Sequence, residues 1–278
     1  MTMWPRARGT RRRAGPAGAL RSSAWSRLTV DGARDRIRGK KGTQVVLTVN
    51  RKGSADPIKV TITRDVIVQK EVVTKDLAGG TIGYIDLTGF SDNSAASLHQ
   101  AVVADIAKGE KKLILDLRGN PGGFVTAARS VASEFIGKGT IFWQEDAQGT
   151  KTPTEATPGG AATDSSIKLV VLIDKGSASA SEIVAGAMRD TKRATLIGET
   201  TFGKGTVQEW TPLEGAGGFK LTVAKWLTPD QEWIHHKGID PDVKVTVPAN
   251  LPAGQDPVLD KAVQVLGQAS LAGLRRVA

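Results

Sequence analysis

Apolar positions recur along the chain in two rhythms. Residues 82–87 (IGYIDL), 112–117 (KLILDL) and 169–173 (LVVLI) are short, near-continuous apolar runs, the pattern of strands buried on both faces. Residues 140–144, 194–197, 206–210 and 220–226 (KLTVAKW) read as further strands. Between them apolar residues return every three or four positions. Leu98, Val102 and Ile106 lead up to Gly109, residues 124–136 suit a helix, and Ile183, Ala187 and Met188 share a face within 182–189. Strand, helix and strand over 82–117 make a βαβ unit, with Ser91 expected to cap its helix. Residues 239–243 (IDPDV) predict a turn into a last strand at 244–247, and residues 258–266 a C-terminal helix. Residues 66–78 read as a linker and residues 145–166 as a polar loop. Strands alternating with helices place the chain in the α/β class.

Ahead of this pattern, residues 34–40 suit a short helix ending at Gly39. Residues 44–50 (QVVLTVN) and 58–63 (IKVTIT) alternate as the strands of a hairpin turning at Arg51-Lys52-Gly53-Ser54. Alone this is an ordinary β-hairpin. As a helix followed by a hairpin it resembles the C-terminal half of a PDZ domain, in the form found in bacterial proteases. The front half, with its carboxylate-binding loop and groove strand, is expected to be missing. The expected divisions are a disordered basic segment at 1–28, a partial PDZ domain at 29–65, a core domain at 66–266 and a tail at 267–278.

Charge changes the picture less than its total suggests. The 278 residues carry a formal net charge of +10, but residues 1–41 hold 12 Lys and Arg against 2 Asp and Glu, and the remainder is balanced. A neutral body presents no basic face, so nucleic acid is not an expected partner. The first 28 residues are rich in Arg, Ala and Gly without periodicity and lack the apolar core of a signal peptide. They fit an Arg-rich transit segment or an incorrectly assigned start. No run approaches the ~18 apolar residues of a membrane span. Cysteine is absent, which removes disulfides, a thiol nucleophile and thiolate metal sites, and leaves the compartment open.

Candidate chemistry gathers between residues 170 and 208. A strand and the turn Asp174-Lys175-Gly176 lead to Ser177, Ser179 and Ser181, separated only by alanines, and then to a helix. A serine there meets unpaired backbone N–H groups that can hold an oxyanion, although Ser179 or Ser181 could equally be a plain helix cap. The residues themselves do not choose among the three. A serine hydroxyl needs a base. His99, His235 and His236 show no arrangement that suggests a triad. Lys204, between Gly203 and Gly205, can serve if burial lowers its pKa. In an extended strand Lys204 and Gln208 would share a face, so the amide could orient the amine. Arg118-Gly119-Asn120-Pro121-Gly122-Gly123 offers a second set of free N–H groups, or a simple turn. Residues 198–204 (GETTFGK) fit the start of a phosphate-binding loop, but Gly205 stands where a Ser or Thr is required and the following residues look like strand.

Four motifs occur in order: LDLRGNPGG at 115–123, GSASASEIVAGAMRD at 176–190, GETTFGKGTVQ at 198–208 and KGIDPDV at 237–243. Together they resemble the carboxyl-terminal processing proteases, also called tail-specific proteases, over about residues 30–266. The resemblance implies the crotonase-like α/β core shared with the Clp-type peptidases and a serine endopeptidase with a Ser-Lys dyad. It puts the nucleophile at Ser179, the general base at Lys204 and its positioning residue at Gln208. It puts the oxyanion hole at the Ala180 N–H and a glycine of the loop, Gly122 or Gly123. It implies no cofactor or metal, protein or peptide substrates with apolar C-termini, and a periplasmic or extracytoplasmic, membrane-associated setting, and it allows a homo-oligomer. With half of the PDZ domain missing, an inactive fragment or a peptide-binding relative is the alternative.

Overall fold

The computed structural model describes residues 29–274 apart from 52, 54–55, 67–69, 214–216, 249 and 253. The basic segment 1–28, part of the 51–54 turn and residues 275–278 of the expected tail lie outside the described residues. The chain divides into two compact units after Gln69.

The first unit holds α1 (Val30–Ile37), β1 (Gln44–Val49) and β2 (Ile58–Thr63). The helix begins earlier than its apolar spacing suggests because the Thr29 hydroxyl accepts the Gly32 N–H at 3.2 Å. The strands pair antiparallel, with Gln44 opposite Thr63 and Val49 opposite Ile58. Arg64 ties the pair to the helix end by donating from Nε to the Ile37 carbonyl at 2.8 Å.

The second unit runs through β3 (Val72–Leu77), β4 (Ile82–Leu87), α2 (Ser94–Ala107), β5 (Lys112–Asp116), α3 (Val125–Ser133), β6 (Thr140–Glu145), β7 (Lys151–Glu155), β8 (Lys168–Ile173), α4 (Ala180–Asp190), β9 (Thr195–Gly198), β10 (Thr206–Leu213), β11 (Gly217–Leu227), β12 (Val243–Lys244) and α5 (Pro257–Leu274). Its main sheet has the order β12-β9-β8-β5-β4-β3, parallel except for β3. The apolar runs are continuous because both faces are covered. Val171 and Ile173 join a core with Leu98, Val131 and Ile183 of α2, α3 and α4, whereas Val170 and Leu172 join Val258, Ala262 and Leu266 of α5. A second, antiparallel sheet, β10-β11-β6-β7, adds Phe142 and Trp226 to the first core.

Five expectations need correction. The expected linker at 66–78 holds β3, and the expected polar loop at 145–166 holds β7. Both strands are sheet edges, largely exposed and charged, so their alternation is blunted. Ser91 does not cap α2: Asn93 occupies that position, and the Ser91 hydroxyl donates to Glu71 Oε2 at 2.6 Å. The last strand is the two-residue β12, and α5 continues through the first part of the expected tail. Among the described residues no helix is long and apolar enough to cross a membrane.

Candidate active site

The serine turn lies at the C-terminal end of β8, where parallel α/β sheets present their loops. Asp174 Oδ1 organises it, accepting the N–H groups of Gly119 and Gly176, each at 2.8 Å. The buried Ser177 hydroxyl donates to the Leu117 carbonyl at 2.7 Å, and the buried Ser181 hydroxyl to the Asn120 carbonyl at 2.9 Å. Ser179 makes neither kind of bond. It stands at the N-cap of α4 with φ 57° and ψ −114°, a backbone that costs a residue with a Cβ about 1–3 kcal/mol. Backbone and bonding thus distinguish the middle serine, which the residue pattern left level with its neighbours.

The Asn-Pro-Gly-Gly loop is laced to this turn. Asn120 is fully buried, donates from Nδ2 to the Leu87 carbonyl at 2.6 Å, and accepts the Ala178 N–H on its own carbonyl at 3.0 Å. A Cβ on Gly122 would lie 2.6 Å from the Ala178 oxygen and 2.8 Å from both the Ala180 nitrogen and Ser179 Cβ, so only glycine fits this approach. Gly123 bridges to Phe90. The Gly122 N–H donates to Asn120 Oδ1 at 2.9 Å, whereas the N–H groups of Gly123 and Ala180 have no hydrogen-bond acceptor among the described residues. The root of the loop is fixed by Arg118, which donates to Asp116 and, from both Nη atoms at 2.8 Å, to Asp256 ahead of α5.

Lys204 sits in the connection between β9 and β10, half-buried, and its amine has no hydrogen-bond or ion-pair partner among the described residues. Glu182 holds this connection. Its fully buried carboxylate accepts the Thr201 hydroxyl and Gly203 N–H on Oε1, both at 2.6 Å, and the N–H groups of Lys204 and Ser179 on Oε2, at 2.9 and 2.8 Å. The KGIDPDV motif supports the same segment from outside. Thr201 and Ile239 exchange backbone and side-chain bonds, and the Thr200 hydroxyl donates to Asp240 Oδ1 at 2.6 Å. The Trp226 indole donates to the Lys204 carbonyl at 2.8 Å.

The sequence-derived residues are not all brought together. Ser179, Ala180, Gly122 and Gly123 form one contiguous group, and Lys204 is joined to it through Glu182. Gln208 is exposed, and its amide donates to Thr222 at 3.5 Å rather than to Lys204. Even spacing does not place Gln208 beside Lys204, because Lys204 precedes β10 and lies outside the extended strand. His235 accepts the Gly205 N–H at 3.3 Å, and His99 lies 3.0 Å from Glu134; neither is hydrogen-bonded to a serine hydroxyl among the described residues. The GETTFGK stretch runs into a strand rather than the helix a phosphate cradle needs. Sequence reasoning passed over Glu182, Asn120, Thr201 and Asp256. Only Glu182 carried a readable signal, the Ser-x-x-Glu spacing of a capping box.

A small-residue turn at a helix N-terminus, a bare N–H on either side of it and a glycine-flanked lysine on one shared carboxylate suit acyl transfer through a serine. Residues 81–245 match the model of peptidase family S41. The chain belongs to peptidase family S41. Over 219 residues it is 46% identical to the carboxy-terminal processing protease CtpA of Bacillus subtilis strain 168, covering 78% of this chain and 46% of that protein. It is 41% identical over 224 residues to a carboxyl-terminal-processing protease of Synechocystis, covering 80% and 52%. The photosystem II D1 C-terminal processing protease superposes with a TM-score of 0.60 at 32% identity, covering 82% of this chain and 61% of that one. This S41 chain therefore spans about half the length of the curated relatives it matches.

Proposed function

We propose that this S41 chain is a serine endopeptidase of the C-terminal processing type, with Ser179 as nucleophile and Lys204 as general base. The observation that carries this reading is the strained backbone of Ser179 at the head of α4, bound through Glu182 to the segment bearing Lys204. In this mechanism Lys204 takes the hydroxyl proton as Ser179 attacks the scissile carbonyl and returns it to the leaving amine. Water then releases the acyl-enzyme. The Ala180 and Gly123 N–H groups are assigned to the oxyanion, because the Gly122 N–H is already donated to Asn120. Gln208 keeps the role of orienting the amine. Its 3.5 Å bond to Thr222 is weak enough to exchange when substrate arrives.

Names of the relatives favour protein substrates cut near their C-termini. An apolar, unstructured tail is the substrate class we assign, in an extracytoplasmic setting. The test is digestion of an unstructured protein ending in an apolar tail by this chain, Ser179→Ala and Lys204→Ala, with products read by mass spectrometry. Cleavage by the parent and by neither variant supports the reading. Continued cleavage by Ser179→Ala overturns it.

A further inference from the structure

At the opposite ends of the parallel strands from the serine turn, three carboxylates meet: Asp76 of β3, Asp105 of α2 and Glu110 just beyond it. One oxygen from each lies within 4.8 Å of the others. Asp105 and Glu110 are each only 2% exposed. Lys108 donates to Asp76 Oδ1 at 2.6 Å and to Asp105 Oδ1 at 3.3 Å. That leaves Asp105 Oδ2 and both Glu110 oxygens buried with no hydrogen-bond partner. An unpaired buried carboxylate oxygen is costly, and a folded protein ordinarily gives it a donor or a cation.

The unpartnered oxygens point at one spot. Asp105 Oδ2 and Glu110 Oε2 each lie 2.5 Å from the position a Cβ on Gly83 would occupy. Gly83 is also the cross-strand partner of Asp76. The absence of a side chain at Gly83 therefore opens the space into which the carboxylates converge. Charge points the same way. Three carboxylates against one ammonium leave two negative charges in excess, beside the C-terminus of α2, where the helix dipole favours a cation and opposes an anion. Burial pushes the Asp105 and Glu110 carboxyls up, and the Asp105 charge adds to the effect on Glu110.

We infer that Asp76, Asp105 and Glu110 form a binding site for one hard divalent cation, with Glu110 presenting both oxygens to it and the glycine at 83 leaving it room. All-carboxylate donors select such an ion over a thiophilic metal. Magnesium keeps several of its waters and demands near-octahedral geometry, whereas calcium accepts an irregular set of carboxylate oxygens, so calcium is the ion expected at this buried cluster. The ion fastens the edge hairpin of β3 and β4 to the end of α2. The inference rests on neither Ser179 nor Lys204 and stands whether or not the chain cleaves protein.

The test is thermal unfolding and titration calorimetry of the chelator-stripped protein with CaCl2, MgCl2 and MnCl2. Expected are binding heat at one calcium per chain and a rise in Tm of about 3 °C or more at millimolar CaCl2, reversed by chelator. Glu110→Gln and Asp105→Asn abolish the response, while their metal-free Tm equals or exceeds that of the parent because a buried unpaired charge is gone. Asp76→Asn, at an exposed position that does not endanger folding, weakens affinity about tenfold. No heat and no Tm rise with any of the three ions overturns the inference. A response that persists undiminished in Asp76→Asn, or in both buried variants, overturns it as well.

Discussion

The backbone N–H groups of Ser179 and Lys204 share one acceptor, Glu182 Oε2, at 2.8 and 2.9 Å. Two segments 25 residues apart in sequence are thereby held in fixed register by a side chain that belongs to the first turn of α4. Glu182→Ala would strand four donors, those of Ser179, Thr201 and Gly203, which are buried, and of Lys204, which is partly buried. Each unsatisfied group costs about 1–3 kcal/mol, so a destabilisation of at least about 3 kcal/mol is expected in urea unfolding. Glu182→Gln keeps the volume but turns an amide N–H toward donors. It is expected to remain folded and to lose about a hundredfold in peptide cleavage.

The three serines should separate by readout. Ser177→Ala and Ser181→Ala each remove a buried hydroxyl from a loop carbonyl, and each should lower stability by about 1–2 kcal/mol. Ser179→Ala should abolish cleavage with little change in Tm. Ser179→Gly should be more stable than the parent by about 1 kcal/mol, because glycine adopts φ 57° without penalty. Thermal unfolding of the four variants side by side checks this, and a Ser179→Gly protein less stable than the parent would contradict the strain assigned to that position.

Gly122→Ala places a methyl group 2.6 Å from the Ala178 oxygen at φ +94°, against backbone that cannot swing aside. Separation of the loop from the serine turn is expected, with a loss of about 1–3 kcal/mol in stability and at least about tenfold in cleavage. The corresponding change at Gly267, an exposed site in α5 with nothing within 4 Å, should raise stability by about 0.5–1 kcal/mol.

The Arg118–Asp256 pair predicts a pH dependence. Burial raises the Asp256 carboxyl, but the Arg118 guanidinium and the Leu259 and Val258 N–H groups outweigh it and hold the carboxyl below its ordinary value. A depressed folded-state pKa means that the unfolded chain binds more protons in the window between the two values. Stability from this group is therefore complete above the unfolded pKa of about 3.9 and is lost as pH falls through the folded value. Asp256→Asn should be less stable than the parent at neutral pH, with the gap closing below about pH 4 in paired unfolding curves.

Legibility in the sequence followed burial. β4, β5 and β8 were readable because two covered faces demand unbroken apolar runs, and α2 because one covered face demands a helical period, whereas α4 is buried nearly all round and shows its period only in Ile183, Ala187 and Met188. β3 and β7 were not, because an edge strand meets solvent and its charges break the alternation. The site was readable as a place but not as a geometry. Three serines look alike in a string, and only φ at Ser179 and the bonds of Ser177 and Ser181 set them apart. Gln208 shows the reverse, a spacing rule that does not apply because Lys204 lies in the connection ahead of β10. Contacts such as Arg118 to Asp256, 138 residues apart, have no local signature at all.

The bonds between Thr201 and Ile239 and between Arg118 and Asp256 also set a schedule. A ribosome makes the serine turn long before residue 239 or 256, and until those residues emerge the lysine segment lacks its outer support and the root of the glycine loop lacks its tie to the segment ahead of α5. Until then the nascent chain carries its serine and its lysine on an incomplete frame. The frame around the site is complete only once residue 256 has left the ribosome, so a shorter nascent chain holds the parts without their full support.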